Sequence, residues 1–398
     1  MQRLLLITVG SAAAVWRLVM LSLMCLLASA CATGHAPAKA LSRMPPLDFQ
    51  GRVIGHDQVH RLAPTPSLLD VDDVMRNFAH RYTADASSPR QRLRNLHRAV
   101  TGSATLGVDY DPAAQGSARE TFHAQTANCL AYANLFIALA REVGLDARYQ
   151  WVDLRPQWTR MGERVAVRLH VNTVVHLTRR ERLMVDLDPL PARDITDSRE
   201  ISDTDAQALF HSNIAMDALA GEQIEAAWAN AVRALQLSPG MSHLWVNLGV
   251  VYRHAGHYPA AESAYMQALA VDAYDRSAMN NLMVLYGVQG REKERAEWEL
   301  RVTKYRDRNP YYHAWLGDQA AEEQDWRDAL AHYREAMSLA PADPGLMFST
   351  GLIFRQLGEL KAALRYIDEA RRHATLVSEK QAYTVEYEQI SRRLLAGQ

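Results

Sequence analysis

The chain has 398 residues, 48% of them hydrophobic and 22% charged, with a formal net charge of −1. That length suits two or three domains, and the composition is that of an ordinary folded protein. A near-neutral balance without a basic run leaves none of the electrostatic footprint by which proteins hold nucleic acid.

Among the first thirty residues only Arg3 and Arg17 carry charged side chains, and Leu18–Ala30 is an apolar run ending in Ala28-Ser29-Ala30. A basic start, a short apolar core and a small-residue site describe an export signal over 1–30. A spanning helix needs about 20 apolar residues, and Arg17 divides this stretch. The run Leu27-Ala28-Ser29-Ala30-Cys31 resembles a bacterial lipoprotein signal. That resemblance implies a mature chain beginning at Cys31, lipidated there with palmitate-type chains. Ala32 is not the Asp that retains such proteins in the inner membrane, so the expected location is the cell envelope, at the outer membrane and facing the periplasm.

Residues 31–66, with Pro45, Pro46, Pro64 and Pro66, read as a tether. Leu68–Val100 has helical spacing broken at Ser87-Ser88-Pro89, with Gln91–Val100 as a second helix. Residues 101–116 are loop with a short strand. Ala118–Gly144 carries a strong helical signal, with Leu130, Ala133, Leu135, Phe136, Leu139 and Ala140 on one face and Gly144 as the stop. The period then changes to that of strands at 147–152, Val165–Leu177 and Arg182–Leu187, the last two joined by a charged turn. Helix followed by antiparallel sheet is an α+β pattern, expected over 67–204 with its core at about 105–195.

After Asp205 the sequence is helical and repeats. Gly317 lies 68 residues after Gly249, and Gly351 lies 34 after Gly317. Small residues recur in phase at Ala227, Ala261, Ala329 and Ala363, and again at Ala234, Ala268, Ala336 and Ala370. This period resembles the tetratricopeptide repeat. The units fall at 208–241, 242–275, 276–309, 310–343 and 344–377 within 205–398. The third is degenerate, with Arg295 and Val302 at the small positions. Residues 378–396 form the polar-faced cap that such an all-α solenoid needs. Asn213, Asn247 and Asn281 share one position in three units. A row of Asn there is suited to hydrogen-bonding the backbone of an extended peptide, so a protein or peptide partner is expected.

With Cys25 in the signal and Cys31 lipidated, one thiol is left, Cys129. It sits near the start of the Ala127–Val143 helical stretch, where the dipole and exposed N–H groups favour a thiolate and can hold an oxyanion. His170 lies on one predicted strand and Asp186 on the next, both among apolar neighbours. A buried Asp needs a partner, and an adjacent imidazole supplies one. Asp188 is a rival for Asp186, and His123 and His176 are weaker rivals for His170. Gln125, a helical turn before Cys129, is a possible oxyanion donor. No Cys/His spacing suggests a metal and no Gly-rich loop a nucleotide, so no cofactor is expected.

The order Cys on a helix, His on a strand and Asp on the next strand is the layout of the transglutaminase-like, papain-related fold. The segment from Asn128-Cys129-Leu130-Ala131-Tyr132 to Ala140-Arg141-Glu142-Val143-Gly144-Leu145-Asp146-Ala147 resembles the Cys segment of bacterial transglutaminase-like proteins. The resemblance implies Cys129 as nucleophile, His170 as general base and acid, and Asp186 as the orienting residue. It covers about 105–195, and the chain departs from it at Asn172, where the family usually has an aromatic. It implies a thiol hydrolase or acyltransferase acting on peptide or isopeptide bonds. The alternative is an inactive head in a cell-envelope scaffold that works through its repeats.

Overall fold

The computed structural model describes residues 35–154, 157–158, 165–166, 169–178, 181–187, 195–374 and 377–396. The export signal, Cys31 and Asp188 lie outside these residues.

In chain order the elements begin with α1 (His35–Leu41), β1 (Leu47–Phe49), β2 (Arg52–Ile54), α2 (Val59–Leu62), α3 (Asp73–Thr83) and α4 (Pro89–Thr101). Next come β3 (Asp109–Tyr110), α5 (Ala118–Ala124), β4 (Thr126–Ala127), α6 (Cys129–Glu142), β5 (Asp146–Leu154), β6 (Gln157–Trp158) and β7 (Val165–Ala166). They are followed by β8 (Leu169–Thr178), β9 (Glu181–Val185) and β10 (Ile195–Ile201). Helices complete the chain: α7 (Asp203–Ala220), α8 (Ile224–Leu237), α9 (Ser242–His254), α10 (Tyr258–Val271), α11 (Arg276–Val288) and α12 (Glu292–Asp307). The last five are α13 (Pro310–Glu322), α14 (Trp326–Leu339), α15 (Pro344–Gln356), α16 (Leu360–His373) and α17 (Val377–Ala396). The described residues form two compact units: those up to Pro64 with His211–Ala278, and those within Thr65–Phe210 with those from Met279 onward.

In the second unit, α6 is the buried centre of the mixed α/β region. Every residue from Leu130 to Ala140 is shielded from solvent. An apolar helix buried all round needs helices and sheet on its sides; α3, α4 and α5 pack on it with β5 and β8. The sheet is antiparallel in the order β10-β5-β8-β9. Its register sets Val152 opposite His170 and Thr173 opposite Val185.

One expectation about the helices is corrected. The helical signal over Ala118–Gly144 is two helices. Ser117 and Glu120 form a capping box that starts α5, and Gln125 ends it in the left-handed region at φ 58°. Thr126 and Ala127 then pair with Asp109 and Tyr110. Asn128 restarts the helix, its side chain accepting from the Ala131 N–H at 2.9 Å. Such a cap satisfies one of the donors left over at a helix start, and it makes Cys129 the first residue of α6.

A second expectation changes in the first unit, where residues 35–63 are not a plain tether. Leu41, Met44, Leu47, Ile54 and Val59 are buried, and α1, β1 and α2 pack on α8. His56 meets the Trp228 ring edge-on at 5.3 Å. The Tyr252 hydroxyl donates to the Pro45 carbonyl, and His257 Nε2 lies 2.5 Å from the Asp48 carbonyl. The apolar residues of the segment have a partner far along the chain, which composition alone hides.

The repeats show why their small residues recur. A Cβ on Gly249 would stand 2.4 Å from the Tyr265 ring, and one on Gly351 would stand 2.6 Å from Ile367. The two helices of each pair meet at these points, and Ala261, Ala268, Ala329, Ala336, Ala363 and Ala370 are fully buried there. In the last unit of the array, Tyr383 of α17 stacks on Phe348 at 4.4 Å and Ile390 closes the core. No helix among the described residues is long and apolar enough to cross a membrane.

Candidate active site

Cys129 carries the free thiol among the described residues and is partly exposed. As the first residue of α6 it stands where backbone N–H groups have no intrahelical acceptor. Its neighbour Asn128 is fixed twice, by its cap to Ala131 and by its N–H to the Ala114 carbonyl at 2.8 Å. The nucleophile candidate therefore sits on rigid backbone.

His170 and Asp186 arrive from β8 and the end of β9. His170 Nε2 lies 2.5 Å from Asp186 Oδ2, with both side chains more than nine-tenths buried. Cys129 is the other group that acts on the same ring. With Nε2 on the carboxylate, Nδ1 is the nitrogen left for the sulfur. Burial pushes the His170 pKa down, but the hydrogen bonds to Asp186 and Cys129 and their negative charges outweigh it and raise the ring to about 9. At neutral pH this histidine is an imidazolium held between a carboxylate and a sulfur. The structure thus brings Cys129, His170 and Asp186 together, and the carboxylate on His170 is that of Asp186.

The rival histidines lie elsewhere. His123 is exposed and pairs with Asp72 at 2.7 Å, and His176 pairs with Glu200 at 2.6 Å. Gln125 does not fit the oxyanion role. It is not on the Cys129 helix, and its Nε2 donates to the Leu106 carbonyl at 2.9 Å.

Three residues at the site were not singled out for it by the sequence. Asn172, two positions after His170, is buried and its Nδ2 lies 3.5 Å from Asp186 Oδ2. Its signal was a polar residue in an apolar strand. Tyr132, one turn after Cys129, is buried with its hydroxyl 3.2 Å from His97 Nδ1. Burial and the Asp186 charge raise its pKa far above the ordinary phenol value, and burial lowers that of His97. Both therefore stay neutral behind the charged pair. Tyr110 sits on the open side, its hydroxyl 4.0 Å from the Cys129 sulfur; a two-residue parallel bridge leaves almost no pattern to read.

In the repeats Asn213, Asn247 and Asn281 are half-buried. Asn247 donates to the Ser212 hydroxyl at 2.8 Å. Asn213 and Asn247 belong to the first unit and Asn281 to the second. Among the described residues no group of three or more His, Cys, Asp or Glu side chains could hold a metal ion.

Comparison with known families agrees with this layout. Residues 76–186 match the family described as the transglutaminase-like superfamily. Residues 213–278 and 316–375 match the tetratricopeptide repeat. The chain is a transglutaminase-like α/β domain followed by an array of tetratricopeptide repeats, a combination that goes with thiol-type chemistry and with protein–protein interaction.

Among solved structures, the chain is similar to YrrB, described as a tetratricopeptide repeat protein with an unusual peptide-binding site. The two are 17% identical over 44% of this chain and 92% of that one, with a TM-score of 0.23. It is also similar to PilF of Pseudomonas aeruginosa (19% identity, 50% and 96% covered, TM-score 0.25). MamA of Desulfovibrio magneticus is a third (13%, 43% and 96%, TM-score 0.24). None of the curated proteins matches the chain.

Proposed function

We propose that the protein is a lipid-anchored envelope enzyme, a thiol hydrolase or acyltransferase acting on peptide or isopeptide amide bonds, whose repeats recruit a protein partner. The observation that carries the reading is the buried His170–Asp186 pair, Nε2 to Oδ2 at 2.5 Å, with Cys129 acting on the same ring. The Cys129 thiolate attacks the amide carbonyl, and the S–C bond forms as the carbonyl pair moves to oxygen. N–H groups at the start of α6 receive that oxyanion. The His170 imidazolium then gives its proton to the leaving amine, and an acyl-enzyme remains. Water yields hydrolysis and a second amine yields transfer, with His170 taking back a proton. Asp186 orients the ring and stabilises its charged form. Anchoring at Cys31, with the mature protein on the outer membrane facing the periplasm, follows from the signal alone.

The test is alkylation and turnover. Wild-type Cys129 should react with iodoacetamide at neutral pH well above the rate of an unactivated thiol, and His170→Ala should remove the excess. Incubation with peptide, amine and peptidoglycan substrates separates peptidase, crosslinker and amidase by product. If Cys129 alkylates at the ordinary rate and His170→Ala changes nothing, the head is an inactive interaction module instead.

A further inference from the structure

We infer that Tyr110 is a catalytic residue, whose hydroxyl donates a hydrogen bond to the oxyanion formed when Cys129 attacks a carbonyl. The inference rests on the reading of Cys129 as the acylated nucleophile.

The first ground is placement. Tyr110 pairs with Ala127, two positions before the nucleophile. Backbone bonds hold the two strips together on either side of it: Asp109 N–H to the Gln125 carbonyl at 2.9 Å, Asp111 N–H to Ala127 at 3.0 Å and Asn128 N–H to Ala114 at 2.8 Å. The Asp111 side chain accepts from the Ala113 N–H at 2.9 Å and steadies the turn that follows. The phenol is therefore set against the sulfur by main-chain geometry rather than by a mobile loop. A tyrosine ring has two side-chain torsions and little to lose on being held.

The second ground is direction. Tyr110 is 47% exposed while His170 is buried. The imidazole comes to the sulfur from the protein side and the phenol from the side open to a substrate. In the tetrahedral adduct the oxyanion is carried by the carbon bonded to sulfur. A donor in contact with the sulfur can thus come to the distance of about 2.7–3.1 Å at which an oxyanion donor is effective.

The third ground is chemistry. In the thiol form Cys129 S–H donates to the Tyr110 oxygen. In the thiolate form the sulfur has no proton to give, and the phenol O–H is the group able to donate. Gln125, the oxyanion candidate offered by the sequence, is engaged by Leu106. The α6 N–H groups and Tyr110 then make a two-part oxyanion site of backbone and side chain.

The probe reactions are p-nitrophenyl acetate and iodoacetamide. With the ester, the thiolate pair forms the S–C bond and the carbonyl pair moves to oxygen. When that pair returns, the C–O bond breaks and p-nitrophenolate leaves with its electrons. Tyr110 keeps its proton throughout and only hydrogen-bonds. With iodoacetamide, sulfur displaces iodide at a tetrahedral carbon and no oxyanion forms. Tyr110→Phe should lower kcat/KM for acylation on the order of 10²-fold while leaving the alkylation rate within about twofold, since only acylation uses the donor. Unchanged acylation, with Cys129→Ala inert, overturns the Tyr110 assignment and leaves the nucleophile standing. An equal fall in both reactions also overturns it, because the phenol then acts on the thiolate. Ester turnover undiminished in Cys129→Ala sinks the nucleophile reading, and this inference with it.

Discussion

Replacing Asp186 with Asn removes the charge on His170 while keeping the side chain's shape. The ring is raised from 6.5 to about 9 against the opposing effect of burial. A shift of that size is worth about 3 kcal/mol in favour of the imidazolium. The bond to Asp186 leads the raising contributions, so in Asp186→Asn the pKa should fall to the ordinary value or below. At pH 7.5 the imidazolium fraction would drop from about 97% to about a tenth. The sign follows for stability. Because the folded-state pKa is raised, the contribution is full below about 6.5 and is lost as pH rises through about 9. Wild type should lose up to about 3 kcal/mol more than the variant between pH 6 and pH 10. Imidazole nitrogen NMR across the pH range reads the titration directly, and urea unfolding at the two pH values reads the stability. A wild-type ring titrating near 6.5, or a variant still titrating near 9, would refute the account of a histidine held charged between Asp186 and Cys129.

Three further outcomes are expected. Gly249→Ala puts a methyl group against the Tyr265 ring and should cost about 1–3 kcal/mol by overpacking; an unchanged melting temperature would count against that close approach. Asn128→Ala removes the cap on Ala131 and should cost about 1 kcal/mol, with faster amide exchange in the first turn of α6 as the check. Leu47→Ala empties a buried position and should cost about 2–5 kcal/mol, visible as protease cleavage within 41–63. Cleavage no faster than wild type would show that this segment is not packed on α8.

Much of the site was legible because its chemistry conflicts with its surroundings. His170 and Asp186 are polar residues in apolar strands, and such conflicts need mutual partners. The repeats were legible because Gly249, Gly317 and Gly351 stand in phase where paired helices touch. Other features depend on distant partners. Nothing local says that Gln125 turns left-handed, because no Gly or Pro interrupts 118–143 and β3 is needed to break the helix. Strand β10, with Asp197, Arg199 and Glu200, is a polar edge strand and lacks apolar alternation. In residues 35–63, the prolines suggest a linker, and only the buried faces of α8 and α10 explain Leu41 and Leu47.

That folded segment has a consequence for how the protein is made. Its contacts join residues separated by 173, 207 and 209 positions. At about 5–20 residues per second, the ribosome takes on the order of 10–40 s to supply the helices that Leu47 and Pro45 require. Through that interval Leu41, Met44, Leu47, Ile54 and Val59 have no partner, while the whole transglutaminase-like domain is synthesised between them and their destination. Residues 41–59 are therefore synthesised early and are among the last to find their place. High contact order there makes assembly of the first unit slow and exposed, and a holding chaperone is most useful to this protein at that stage.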